Sequence, residues 1–183
     1  MFNHLLAGCL IFFIYGKIAG FEPSWQYLSA GAFWGIFPDL VSFFLAEGFY
    51  SDKRAHEHRD NLSHSIIMPL LVLIWGSVFW QLIGDGTVFM VGLAWLSHPL
   101  LDMFGTGWGV RIFYPFSQNY YKLFYHGRFL TKWTPAEVDW LARTRGDDNW
   151  IWNTYFTRNW FGVLEWTSLF VTVAIILYSY LSR

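Results

Sequence analysis

Five apolar runs, residues 5–20, 28–46, 62–83, 88–104 and 161–181, partition this chain of 183 residues. Each is close to the roughly 20 residues that an α-helix needs to cross a bilayer. In hydrocarbon every backbone polar group of such a run must be satisfied internally, which selects helices. Composition agrees, because 55% hydrophobic and 22% aromatic residues, with a mean hydropathy of +0.31, are too apolar for a soluble domain of this size. The expected fold class is therefore all-α, a polytopic membrane helix bundle of about five transmembrane helices. Lys17 interrupts the first run close enough to its end to snorkel to the headgroups. A cleaved signal peptide is not expected, since the first residues carry no basic side chain.

Lys and Arg are distributed unevenly among the connections, and positive charge favours the cytoplasmic side. If the N-terminus is cytoplasmic, the same side receives Lys53, Arg54 and Arg59 in residues 51–61. It also receives Arg111, Lys122, Arg128, Lys132, Arg143, Arg145 and Arg158 in residues 106–159. The other side holds residues 21–27, the turn Gly84-Asp85-Gly86 and the tail with Arg183. This bias puts the N-terminus in the cytoplasm. Cys9 is the single cysteine and lies in an apolar run, so no disulfide framework is available and a buried inert thiol is expected.

Three regions follow: a four-helix membrane core over residues 1–105, an interfacial cap over 106–159, and a C-terminal transmembrane helix over 160–183. In the cap, residues 112–133 interleave aromatics with Lys122, Arg128 and Lys132, a pattern suited to the headgroup layer. Thr134-Pro135-Ala136-Glu137 reads as a capping box with proline at the first helical position, opening a short helix that Gly146 can end.

Six residues that are costly to place in a bilayer, His4, Asp39, His58, His64, His98 and Asp102, fall at run ends that map to one membrane side. His98 and Asp102 are four apart on one helix face and could hold a single ion. Pro99 should kink that helix by removing a backbone hydrogen bond. Asn61 is a candidate N-cap, with His64 in the first turn of the third helix. An isolated histidine at a helix end is usually only a hydrogen-bonding group, but a carboxylate inside a membrane costs roughly 2.5–3.5 kcal/mol and requires pairing or coordination. Six such groups from four segments point to a metal site. Imidazole and carboxylate without thiolate favour zinc, with manganese or iron as alternatives.

With these residues in view the chain resembles the YdjM-type family of inner-membrane metal-dependent hydrolases. The resemblance rests on His4-Leu5-Leu6, Pro38-Asp39, the run from His58-Arg59-Asp60-Asn61 to Leu62-Ser63-His64-Ser65, and residues 92–102 with their Ser-His-x-x-x-Asp core. Tyr114-Pro115 stands where the family commonly has an aromatic-proline pair. Two departures are visible. Val41 occupies a position where relatives often carry a second aspartate, and the His58 to His64 spacing is one residue longer than the commonest form. The resemblance implies a hydrolase that uses one or two divalent ions.

From the residues, His64, His98 and Asp102 are the expected ligands, Asp39 and His4 complete a mono- or dinuclear centre, and His58 is ligand or general acid. Arg59 is the best candidate for a phosphate clamp, and Asp39 and His58 are the other candidate catalytic groups. His56 and Glu57 read as loop, and His126 as too distant to ligate. A site opening at the headgroup layer beneath a basic and aromatic cap suits a phosphoester of a membrane lipid or a lipid-linked phosphate. No nucleic-acid partner is expected. Three alternatives stay open: a structural or sensing metal site, a transporter, and a metal-independent lipid phosphatase with a histidine nucleophile. The last lacks its companion Lys/Arg and Pro-Ser-Gly-His elements here, and transport would need polar residues continuing across the bilayer.

Overall fold

The structure, a computed structural model, describes residues 1–45, 59–146, 150–156 and 159–182. The elements in chain order are α1 (Phe2–Ile18), α2 (Trp25–Leu45), a 3-10 turn (Leu62–His64), α3 (Ile67–Ile83), α4 (Thr87–Phe104), β1 (Tyr120–Tyr125), β2 (Arg128–Trp133), α5 (Pro135–Arg145), α6 (Trp150–Tyr155) and α7 (Trp160–Leu181). All five apolar runs are helical over most of their length. By length and composition α4 and α7 are long enough and apolar enough to cross a membrane, while α1 and α3 are shorter apolar helices. Lys17 closes an ion pair with Glu22 at 2.6 Å just beyond the end of α1, which keeps its charge out of the helix body.

The expected all-α class needs correction, because β1 and β2 form a two-stranded antiparallel sheet in the region between α4 and α7. Tyr120 pairs with Trp133, and Tyr125 with Arg128. His126 and Gly127, both with positive φ (47° and 79°), make the two-residue turn. Two successive positive φ values match the twist of a tight hairpin, and glycine takes the second without a steric penalty. The hairpin is followed by α5, whose capping box is complete: Thr134 Oγ1 accepts from the Glu137 amide, and the Glu137 side chain accepts from the Thr134 amide. Gly146 is its C-cap.

A second difference concerns α3, which starts at Ile67 and not at Leu62. Asn61 caps the short turn before it, accepting from the Ser63 amide at 2.9 Å. Ser65 then bonds back to the Leu62 carbonyl, and such local side-chain bonds compete with helix. His64 therefore sits in an irregular segment held against the bundle, where Trp95 Nε1 donates to the Ser63 carbonyl at 2.8 Å.

Close approach of α1 and α2 places the N-terminal end of the bundle. A Cβ on Gly8 would lie 2.1 Å from the Gly31 carbonyl oxygen, and one on Gly35 would lie 2.1 Å from the His4 carbonyl oxygen. Only small residues permit this backbone contact, as in membrane helix pairs. The C-terminal helix is not a separate layer, because α7 packs on α1 and α2. Its Glu165, 1% exposed, receives the Phe2 amide at 2.5 Å, the Asn3 amide at 3.3 Å and Asn3 Nδ2 at 2.9 Å. That carboxylate caps α1 from another helix and satisfies amides that have no intrahelical partner. Large apolar side chains of α3 and α7, among them Ile74, Trp75, Leu82, Phe170 and Tyr178, face outward. Cys9 is fully buried in the packing between α1 and α2, as expected of an inert thiol.

Candidate metal centre

The chain brings side chains from α1, α2, the 3-10 turn and α4 to one point. His64 Nε2 and His98 Nε2 lie 3.2 Å apart. Asp39 Oδ1 is 3.5 Å from the first and 3.4 Å from the second, and Asp102 Oδ2 is 3.8 Å and 3.6 Å from them. A tetrahedral ion with ligand bonds of 2.0–2.1 Å requires ligand atoms about 3.3 Å apart. The five separations are within about half an ångström of that spacing, while Asp39 and Asp102 belong to different candidate ligand groups that share His98.

Hydrogen bonding at the outer ring nitrogens fixes which nitrogen is free to ligate. His98 Nδ1 faces the Gly35 carbonyl at 2.8 Å, an acceptor only, so Nδ1 carries a proton and, in the neutral ring, Nε2 keeps the lone pair. His64 Nδ1 faces Ser42 Oγ at 3.4 Å and Ser63 Oγ at 3.3 Å. Both hydroxyls donate elsewhere, Ser42 to the Pro38 carbonyl at 2.9 Å and Ser63 to Asn61 Oδ1 at 2.5 Å. They therefore accept from Nδ1, which again leaves Nε2 with its lone pair inward. Partners of this kind orient histidine ligands in metal sites.

Asp102 is divided between two tasks. Its Oδ1 is 3.4 Å from His4 Nε2 and 3.3 Å from Arg59 Nη2, whereas its Oδ2 is buried without a hydrogen-bond partner. A buried carboxylate oxygen in that condition is rare and expensive. Its position opposite both Nε2 atoms fits a cation. His4 is different: it stacks on His98 with ring centroids 3.8 Å apart, and its Nδ1 is also buried without a hydrogen-bond partner. His4, Asp39 and His98 form a second group able to hold an ion, beside His64, His98 and Asp102. His64, His98, Asp102 and His4 are buried, while Asp39 keeps 22% of its side chain exposed.

Of the residues singled out in the sequence, His4, Asp39, His64, His98 and Asp102 converge. His58 lies outside the described residues, as do His56 and Glu57. Arg59 is at the cluster, with Nη1 donating to the Thr106 carbonyl at 3.2 Å, and His126 is exposed at the hairpin turn.

The sequence profile of the YdjM inner membrane protein family matches residues 1–183. The chain belongs to that family. The match extends the resemblance, which rested on the first 116 residues or so, through the hairpin and α7 to the end. No curated protein and no solved structure matches the chain. Membership makes this an inner membrane protein, and it leaves the chemistry of the cluster to be argued from its atoms.

Sequence reasoning missed four participants. Ser42 and Ser63 orient His64, and the Gly35 carbonyl orients His98. The fourth is Lys122, buried on β1 with its Nζ donating to the Gly105 carbonyl just past α4. Tyr120 and Lys122 are two apart and share the inward face of the strand. Tyr120 donates to Asp60 at 2.6 Å, and Arg111 pairs with Asp60 at 3.3 Å. Asp60 directly follows Arg59, so this network ties the hairpin to the loop that carries the site.

Proposed function

We propose that the chain is a membrane-embedded, metal-dependent hydrolase that cleaves a phosphoester of a membrane lipid or lipid-linked phosphate at the cytoplasmic leaflet. In this reading five helices span the inner membrane, the N-terminus is cytoplasmic, and the ion is zinc, with manganese or iron as alternatives. The observation that carries it is the convergence of two imidazole nitrogens with one oxygen of Asp39 and the buried Oδ2 of Asp102, each carboxylate oxygen 3.4–3.8 Å from both nitrogens.

His64, His98, Asp102 and Asp39 would hold the ion, and His4 would either support Asp102 or help hold a second ion. A divalent ion bound there acidifies water and polarises a phosphoryl oxygen. The protein contributes the rest. Asp39, whose side chain is 22% exposed, would complete the coordination shell or accept a proton. Arg59 offers a cation to a phosphoryl oxygen, and His58, preceding it in the chain, is the proposed general acid. Because Arg59 also bonds Asp102 Oδ1, Arg59→Ala is expected to loosen the metal as well as slow turnover, so it does not separate the two roles.

Four protein ligands would also fill a tetrahedral shell, and closed shells are the mark of structural sites. A structural ion is therefore the rival reading. The deciding experiment is metal analysis of the detergent-purified chain together with a hydrolysis screen over phospholipids and lipid-linked phosphates, for wild type, for His98→Ala, and after chelation. Hydrolysis lost on chelation and in His98→Ala supports the enzyme. Full metal occupancy with no substrate turned over would favour the structural ion.

A further inference from the structure

Arg59 and Lys122 reach the site from different elements and end on consecutive carbonyls, Thr106 and Gly105, immediately after α4. Both side chains are buried. A lysine is seldom buried unless its charge is matched. Here the Lys122 contact is a carbonyl, and the charges that act on it are those of Arg59 and Asp102. The proposed divalent ion would add its charge beside the cations Arg59 and Lys122. Such a cluster of positive charge attracts a phosphate dianion more strongly than a diester monoanion.

We infer that Lys122 and Arg59 together form a binding site for a terminal phosphate group, a monoester dianion, beside the metal centre, with Lys122 selecting monoester over diester. The inference rests on the metal reading of the cluster for the divalent charge, and on hydrogen-bond geometry and burial for its two arms. Burial and the neighbouring guanidinium push the Lys122 ammonium down to about 8, so an anion beside it would stabilise the charge on this arm.

The test uses the metal-loaded full chain and reads binding. Calorimetry compares inorganic orthophosphate in solution with phosphatidic acid and phosphatidylglycerol carried in phosphatidylcholine nanodiscs, with metal content measured alongside. Lys122→Gln keeps a donor for the Gly105 carbonyl and removes the charge. It should retain metal, bind orthophosphate or phosphatidic acid roughly tenfold or more weakly, and lose the preference for phosphatidic acid over phosphatidylglycerol. Lys122→Arg should stay within a few-fold of wild type. Loss confined to phosphatidic acid would assign the site to a lipid, and loss confined to orthophosphate to a soluble phosphate. Unchanged affinity for both in Lys122→Gln would overturn the inference.

Should Lys122→Gln fail to fold, the wild-type chain decides. Orthophosphate or phosphatidic acid should protect Lys122, and not Lys17, from reductive methylation, and absence of protection would overturn the inference. Monoester binding that depends on Lys122 without any hydrolysis would defeat the hydrolase reading alone. Hydrolysis in Lys122→Gln with wild-type affinity and preference would defeat this inference alone.

Discussion

His64 and His98 turn their Nε2 atoms toward each other at 3.2 Å, although each ring has already committed its Nδ1 proton to an oxygen acceptor. With both rings neutral, two lone pairs would face each other in a buried site and repel unless a cation lay between them. With an oxygen of Asp39 and one of Asp102 each within 3.8 Å of both nitrogens, a divalent ion would satisfy these groups together. This relationship generates the first expectation. Zinc added to the chelated wild-type chain should raise its thermal stability, by about 2.7 kcal/mol at a hundred-fold excess over the dissociation constant. His64→Ala, His98→Ala and Asp102→Ala should each abolish most of that gain and lower bound metal. His126→Ala should change neither. Wild-type metal content in all three cluster variants would remove the basis for the site.

The serine pair is a subtler probe of the same centre. Ser42 and Ser63 touch no proposed ligand atom, yet they hold the His64 proton on Nδ1. Replacing both with alanine should weaken zinc by about 10–100-fold, the usual effect of losing the partners of a histidine ligand, while the helical content measured by circular dichroism stays at the wild-type level. An unchanged zinc affinity would mean that packing alone orients His64.

Glu165 tests whether the C-terminal helix helps to build the site. Removing its side chain in Glu165→Ala leaves the amides of Phe2 and Asn3 without their acceptor, at a cost of about 2–4 kcal/mol for two unsatisfied buried donors. The start of α1 should then fray. His4 lies one residue beyond Asn3, so its stacking on His98 should loosen too, and hydrogen exchange at the first turn of α1 should rise ahead of the rest of the bundle. Exchange confined to α7 would show that Glu165 serves its own helix only.

The elements carried by periodicity and capping chemistry were legible in the sequence. The five runs became α1 to α4 and α7, Thr134 and Glu137 formed their capping box, Asn61 capped a 3-10 turn and not α3 itself, and the i, i+4 pair His98 and Asp102 shares a helix face because helical geometry leaves no alternative. The hairpin was not read, although its signal was present: aromatic residues on both sides of His126-Gly127 fit a two-residue turn. The same aromatics also suit a headgroup layer, and composition could not choose between the two. Lys122 and Glu165 were missed for a different reason. Each is an ordinary charged residue in its own stretch of chain, and its meaning comes from partners far away in sequence, the Gly105 carbonyl for one and the amides of α1 for the other. Ser42 and Ser63 were invisible in the same way, since a serine has no distinguishing pattern until it meets an imidazole.

Lys122 gives the last expectation, in which stability and affinity move in opposite directions with pH. Its ammonium is held down to about 8 by burial first and by Arg59 second, with Asp102 pulling the other way, whereas a lysine in the unfolded chain titrates near 10.4. Below pH 8 both states are protonated, and the unfavourable burial of the charge is present in full. Between about 8 and about 10.4 the unfolded chain binds the extra proton, so the Lys122 contribution to stability improves as pH rises. Phosphate binding requires the charged form, and its affinity should therefore fall as pH rises through 8, by up to about tenfold per unit. Lys122→Arg, whose charge persists over this range, should flatten both curves between pH 7 and 9.5. Denaturation midpoints and orthophosphate titrations of the two proteins check the pair of slopes. A fall in affinity that survives unchanged in Lys122→Arg would assign the titration to another group, and the metal centre is where it would then be sought.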